Sequence, residues 1–318
     1  MQVKSDILSL IGNTPMVKLR KVTREISSSI FVKLEYMNPS GSIKDRIALY
    51  MIEDAEKRGI LHPNSTIVEA STGNTGIALS FVAAMKGYKM KVFIPKLVSE
   101  NEKLKIMRLY GAEIETVDTE ETPKSRDKSV HGGDIEIVPR KKCLELENRD
   151  SSVWWARQFS NPYNKLAHKK TTGKEILEQT DGKIDAFVAS VGTGGTLVGV
   201  GEALREEIPN IKIIAVEPAG FPLIRKGKSG IRIIEGITGG LLLEAVDIAD
   251  EVLVIDDKEA INMANRLMGE EGLFCGISSG ANVLASLKIA KKYPKLKNIV
   301  TVLPDRRDRY FTTERYTT

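Results

Sequence analysis

A chain of 318 residues, 42% hydrophobic and 28% charged, can bury a proper core as one large domain or two modest ones. Its net charge of +5 is mild and spread through mixed runs such as Glu100 to Lys105, which argues against a nucleic-acid partner. No apolar run reaches the ~20 residues of a membrane span and the N-terminus lacks the basic and apolar regions of a signal peptide, so no membrane partner and a cytoplasmic location are expected.

The first informative stretch is Asn38-Pro39-Ser40-Gly41-Ser42-Ile43-Lys44-Asp45-Arg46. Pro39 and Gly41 mark a turn, and Ile47, Met51, Ile52 and Ala55 then have the spacing of an amphipathic helix starting near Asp45. Lys44 is thereby placed at a loop-to-helix junction. An ammonium at a helix N-terminus faces the wrong end of the macrodipole, so the site favours the neutral amine that Schiff-base chemistry requires. On this stretch alone a solvated lysine opening an ordinary helix explains the pattern as well.

Apolar runs then alternate with helix-period segments. Strands are expected at Ile30 to Leu34, Thr66 to Val68, Met90 to Ile94, Ile114 to Val117, Ala186 to Val191, Ile211 to Val216, Val252 to Ile255 and Ile299 to Leu303. Helices are expected at Ile77 to Met85, Glu102 to Leu109, Leu197 to Leu204, Ala260 to Met268 and Ala281 to Ala290. This rhythm predicts an α/β protein with parallel sheets covered on both faces and ligands beyond the carboxyl ends of the strands. Asp118 to Asp150 breaks the rhythm, with Pro123, Gly132, Gly133 and Pro139 among many charges, and reads as a variable surface connection where two subdomains meet. Cys143 and Cys275 lie far apart, with no Cys-x-x-Cys and three histidines, so reduced structural cysteines are expected, with no metal site.

Two glycine-rich loops each follow a strand and open a helix. Glu69-Ala70-Ser71-Thr72-Gly73-Asn74-Thr75-Gly76 offers backbone N–H groups and hydroxyls suited to a carboxylate. Helix capping would account for one of its polar side chains, and four are present. Gly192-Thr193-Gly194-Gly195-Thr196-Leu197-Val198-Gly199 lets the main chain close on a phosphate at a helix N-terminus. A dinucleotide fingerprint would need glycine where Leu197 stands, and a nucleotide P-loop ending at Gly227-Lys228-Ser229 would need it at Pro222. A phosphate loop without a nucleotide motif, together with an activated lysine, points to a phosphorylated aldehyde cofactor bound as an imine.

Asn38 to Arg46, Ser71 to Gly76, Gly192 to Thr196 and Gly276-Ile277-Ser278-Ser279-Gly280 resemble, in order and spacing, the cysteine synthase (O-acetylserine sulfhydrylase) and cystathionine beta-synthase family of fold-type II pyridoxal-phosphate enzymes. Ile11-Gly12-Asn13-Thr14-Pro15 and Gln158-Phe159-Ser160-Asn161-Pro162 are similar to it as well. The resemblance runs from about Ile7 to Tyr310, excluding roughly Thr119 to Ser152. It implies an α/β, tryptophan synthase beta-like fold over residues 7–310, with a smaller subdomain at about 36–157 and a larger one at about 1–35 plus 158–318.

It also implies the cofactor, pyridoxal 5'-phosphate, and the role of each residue. Lys44 would hold the cofactor as an internal aldimine and then remove the Cα proton. Asn74 would bond the phenolic oxygen; Gly192, Thr193, Gly194, Gly195 and Thr196 would bind the phosphate; Ser278 would face the pyridine nitrogen. Ser71, Thr72, Thr75 and Gln158 would hold the substrate carboxylate. A hydroxyl beside the ring nitrogen makes a weaker electron sink than an aspartate would, which favours β-replacement through an aminoacrylate over transamination or racemisation. Helix capping before Ala281 is the plain alternative for Ser278 and Ser279.

The implied activity is L-cysteine synthesis from O-acetyl-L-serine and sulfide by a homodimer, with serine acetyltransferase as a partner. Within the class the alternatives are O-phosphoserine as donor, cystathionine synthesis from serine and homocysteine, and serine or threonine dehydration. The chain carries no C-terminal extension of the kind that regulates many cystathionine synthases, which weakens that option. Outside the class stands a non-enzymatic binding protein, disfavoured because lysine and phosphate loop are both present. Arg225, Lys226, Lys228 and Arg232 crowd one segment and would suit a phosphate leaving group, or simply form a solvated basic loop. The chain departs from the family at Ser71-Thr72, usually Thr-Ser, at Thr238, usually glycine, and at Arg306 and Arg307, where small residues are common.

Overall fold

The computed structural model describes residues 3–96, 98, 100–118, 137–219 and 243–312. The chain divides into two compact units, residues 1–11 with 44–164 and residues 12–43 with 165–318.

The first unit is built on four parallel strands, β3 (Thr66–Ala70), β4 (Lys89–Pro95), β5 (Glu113–Val117) and β6 (Val153–Trp155), in the order β5-β4-β3-β6. Around them lie α1 (Lys44–Lys57), α2 (Asn74–Lys86), α3 (Glu102–Leu109) and α4 (Ile137–Arg149). Helix α1 buries Ile47, Ala48, Met51, Ile52 and Ala55, the face its sequence period marks. Helix α3 has the bounds its sequence predicts, because Asn101 caps it by accepting from the N–H groups of Lys103 and Leu104.

Helix α4 corrects the expectation of an irregular surface connection. Its Cys143 is fully buried with Val68, Phe93 and Trp155, and Val138, Leu144 and Leu146 pack against that cluster. Pro139 falls in the first turn, where a missing N–H costs no intrahelical bond. Residues 119–136 of that stretch lie outside the described residues.

Among the described residues the second unit carries six strands in the order β1-β2-β10-β7-β8-β9. They are β1 (Met16–Lys18), β2 (Ser29–Lys33), β7 (Ala186–Ser190), β8 (Lys212–Pro218), β9 (Glu251–Ile255) and β10 (Asn298–Val302). Only β1 runs antiparallel to its neighbour; the other pairings are parallel. The helices are α5 (Pro162–Lys170), α6 (Thr172–Gln179), α7 (Gly195–Glu207), α8 (Leu243–Ile248), α9 (Asp257–Glu271) and α10 (Ile277–Lys292), the division between units falling within α5.

Alternation along the strands sends Val188, Ile214 and Val216 to one buried face and Phe187, Ala189, Ile213 and Ala215 to the other. Both faces of this sheet are therefore dry. That is why its strands read as continuous apolar runs in the sequence rather than as alternating ones.

Candidate active site

In the first unit, the loop after β3 runs directly into α2, whose N-cap is Gly73. Ser71 turns its hydroxyl oxygen onto this helix start, accepting from the N–H groups of Gly73 at 3.3 Å and Gly76 at 3.1 Å. One of the four polar residues is thus a cap, as the plainer reading of the loop required, and its O–H proton is left to donate elsewhere. Thr75 donates to Oε1 of Gln158 at 2.5 Å, and Nε2 of Gln158 reaches the Ala70 carbonyl at 3.4 Å. Ser71, Thr75 and Gln158 are buried, and Thr72 and Asn74 are half-buried. The ends of β3 and β6 therefore bring Ser71, Thr72, Thr75 and Gln158 into one polar rim.

Behind this rim stands a residue the sequence reading passed over. Glu69 is 1% exposed, and its carboxylate accepts from the N–H groups of Ala70 at 2.8 Å and Gln158 at 2.9 Å and from the Trp155 indole at 3.1 Å. Burial pushes its pKa up; the three donors and the Arg140 guanidinium oppose that rise. A carboxylate closing an apolar strand just before a glycine loop was the available signal.

Lys44 opens α1 and is half-buried. The residues that precede it belong to the second unit and are fixed there. Asn38 donates to the carbonyl of Glu35 at 2.8 Å and to its carboxylate at 3.1 Å, while its Oδ1 accepts from Gly12 N–H at 2.8 Å. Thr14 donates to the same Glu35 carboxylate at 2.7 Å. The Gly12 to Pro15 segment so acts as a clamp on the loop. On its other side the chain from Pro304 to Tyr310 holds it: Ile43 N–H donates to the Pro304 carbonyl at 2.8 Å, Ser42 and Asp305 form a β-bridge, and Arg309 donates to the Ser40 carbonyl.

The two arginines that depart from the family are accounted for within this unit. Arg307 donates to Asn265 on α9 at 2.8 Å, and Arg306 pairs with Asp308 at 3.1 Å.

The second glycine loop leaves β7 at Ser190 and enters α7 at Gly195. Gly194 is the N-cap with φ +87°, a conformation that excludes ordinary side chains, so no side chain covers the first turn from this position. Gly195 N–H donates to the Thr193 hydroxyl at 3.3 Å. Thr196 lies 3.2 Å from Nε2 of His168, whose Nδ1 lies 2.9 Å from the Thr172 hydroxyl; the imidazole is fully buried. When Thr172 donates to Nδ1, Nε2–H donates to Thr196 and leaves that hydroxyl's own proton for a ligand. His168 and Thr172 stand four residues apart across the break between α5 and α6, and that break left no sequence signal for the contact.

Ser278 is 1% exposed in the first turn of α10. The N-cap there is Gly276 and no side chain caps the helix, so Ser278 and Ser279 are not the caps that the plain alternative supposed. Asn282, one turn on, accepts from Ser190 N–H at 2.8 Å and donates to the Val302 carbonyl at 2.9 Å. It ties the start of α10 to the carboxyl ends of β7 and β10, and so places Ser278 at the same edge of the sheet as the glycine loop.

Cys143 and Cys275 take no part in the site: burial pushes the Cys143 thiol well up and that of Cys275 to about 12. No group of histidine, cysteine and carboxylate residues among the described residues could hold a metal ion. No helix of the described residues is long and apolar enough to cross a membrane. The basic segment with Arg225, Lys226, Lys228 and Arg232, and the neighbouring Thr238, lie outside the described residues.

The donor set fits a phosphorylated aldehyde: a half-buried lysine at one helix start, and at another an all-backbone and hydroxyl cradle, Gly192 to Thr196, with no acidic side chain in it. Comparison with known proteins gives the same answer. Residues 7–305 match the model of the pyridoxal-phosphate dependent enzyme family. The chain is 43% identical over 314 residues to a cysteine synthase of Staphylococcus aureus, covering 98% of this chain and 96% of that protein. Among solved structures it is similar to a cysteine synthase of Entamoeba histolytica, with a TM-score of 0.90 at 36% identity over 100% of this chain and 92% of the other. It is similar also to an O-acetylserine dependent cystathionine beta-synthase of Helicobacter pylori, with a TM-score of 0.88 at 34% identity over 98% and 99% of the two chains.

Proposed function

This chain belongs to the pyridoxal-phosphate dependent enzyme family, and on that premise we propose that it makes L-cysteine from O-acetyl-L-serine and sulfide by β-replacement. The single observation that carries the reading is the full-length likeness to a cysteine synthase. Bound pyridoxal phosphate supplies the electron sink that lets a Cα proton and a β-acetoxy group depart. Lys44 would hold the cofactor, and its Nζ would take the Cα proton. Ser71, Thr72, Thr75 and Gln158 orient the donor's carboxylate. Gly192 to Thr196 would hold the phosphate at the start of α7, Asn74 would hold the ring oxygen, and Ser278 would offer the ring nitrogen a neutral hydroxyl.

A second reading, transfer to homocysteine in place of sulfide, is favoured by the likeness to the Helicobacter pylori enzyme. Product analysis separates the two. Purified enzyme is given O-acetylserine, O-phosphoserine or serine, each with sulfide or homocysteine; cysteine from O-acetylserine and sulfide at the highest kcat/KM is the expected result. Preferred formation of cystathionine, or of pyruvate alone, overturns it. The same resemblance supports a cytoplasmic homodimer that binds serine acetyltransferase, which sedimentation of the enzyme alone and mixed with that protein would test.

A further inference from the structure

We propose that Arg140 and Glu69 are positioning residues for the amino-acid donor, setting how firmly Gln158 and the Ser71 to Thr75 loop grip its carboxylate. The inference rests on the assignment of Gln158 and that loop to the substrate. Arg140 comes from α4, in the stretch of chain without a clear family counterpart. It is 1% exposed, and its guanidinium carbon lies 3.8 Å from the centre of the Phe159 ring, in stacking range of the residue after Gln158.

Glu69 joins the two strand ends that build the rim. Its Oε1 takes the Ala70 N–H and the Trp155 indole N–H, and its Oε2 takes the Gln158 N–H. Only a carboxylate can accept all three; a protonated Glu69 turns one oxygen into a donor and must release a partner. Burial drives Glu69 toward that protonated form; the Gln158, Trp155 and Ala70 hydrogen bonds, and after them the Arg140 charge, oppose it.

The other charged groups around this pair do not replace Arg140. Cys143 on α4 stays a thiol, because burial and Glu69 both raise its pKa. Arg157 is held by the carboxylate of Glu147, donating to Oε1 at 2.8 Å and to Oε2 through its other terminal nitrogen. Arg140 therefore adds its charge to the three hydrogen bonds that keep Glu69 in the form that holds Gln158. As pH falls, Glu69 takes up a proton, Gln158 N–H loses its acceptor, and the side chain that Thr75 bonds loses its fixed backbone. Donor affinity falls first, with sulfide use and cofactor content unaffected.

The test measures the KM for O-acetylserine, the KM for sulfide, the calorimetric Kd of L-serine and the bound-cofactor absorbance across neutral pH. Arg140→Met is expected to raise the donor KM and the L-serine Kd about tenfold on the acid side, the effect of losing about one hydrogen bond. The gap narrows as pH rises, and sulfide KM and cofactor content stay at the parent's values. Arg140→Lys keeps the charge and gives up the flat stack, so its pH profile stays with the parent's. Glu69→Gln weakens donor binding at every pH and flattens the acid limb.

A loss in Arg140→Met that is the same at every pH, or no loss, overturns the proposal. Should that variant not fold, Glu69→Gln decides, and an acid limb like the parent's overturns it. Absence of any β-replacement by the parent would instead sink the assigned activity, while the L-serine titrations still read the effect of Arg140.

Discussion

Lys44 stands where α1 begins, and the chemistry assigned to it is testable at that single atom. Borohydride treatment of the loaded enzyme, followed by peptide mapping, is expected to leave the cofactor's mass on Lys44, and Lys44→Ala is expected to show no turnover. A label on any other lysine would overturn the assignment. A second residue makes a prediction about stability. Asp257, 7% exposed in the first turn of α9, has an Oδ1 without a hydrogen-bond partner, and burial next to Asp256 raises its pKa to about 6.

An acid whose pKa rises on folding favours the fold below its unfolded value, near 3.9, and costs stability as pH climbs through the folded value. Asp257→Asn is therefore expected to gain about 1–2 kcal/mol near pH 8 and nothing near pH 3, which urea unfolding at the two pH values would measure. An equal gain at both would contradict it. At this scale the sequence placed Lys44 at a loop-to-helix junction, where α1 begins, because glycine, proline and a helix period frame it. Glu69 and Arg140 were not readable, because their partners come from other strands and helices and no spacing records them.

Among the elements, two glycines carry strain that side chains cannot share. Gly194, at φ +87° on the start of α7, is predicted to tolerate no Cβ. Gly194→Val should weaken cofactor binding more than Thr196→Ala, which removes one hydroxyl and about 1–3 kcal/mol. Cofactor retained equally by the two variants would count against the loop's role.

Gly41, at φ +90°, turns the loop that leads to Lys44, and a Cβ there would stand 2.9 Å from the Arg309 guanidinium and 3.1 Å from Arg306 Cδ. Gly41→Ala is expected to cost about 1–2 kcal/mol from backbone strain alone. A thermal midpoint unchanged from the parent's would show that the loop adopts another turn. Strands and helices with dry faces were legible because their apolar runs are long. Helix α4 was not, since its charges hide a buried edge of Val138, Cys143, Leu144 and Leu146. Strand β3 was expected at Thr66 to Val68 and runs on to Ala70, since the bonds made by the Glu69 carboxylate let it lie in a buried strand.

For the molecule as a whole, each unit has its own sheet and core, and the proposed roles in holding the cofactor fall on residues of both. Lys44 and Asn74 belong to the first unit, Gly192 to Thr196 and Ser278 to the second. A ligand that binds only the folded state stabilises it by RT ln(1 + [L]/Kd), about 2.7 kcal/mol at a hundredfold excess over Kd. The gain is withdrawn when the segments that hold the ligand unfold. Calorimetry is therefore expected to show a transition that moves to lower temperature once pyridoxal phosphate is stripped. Gly194→Val should behave as stripped enzyme at cofactor concentrations that protect the parent, and should approach the parent's midpoint as the cofactor concentration is raised. Stripped and loaded enzyme that unfold at one temperature would mean that the folded protein does not bind the cofactor.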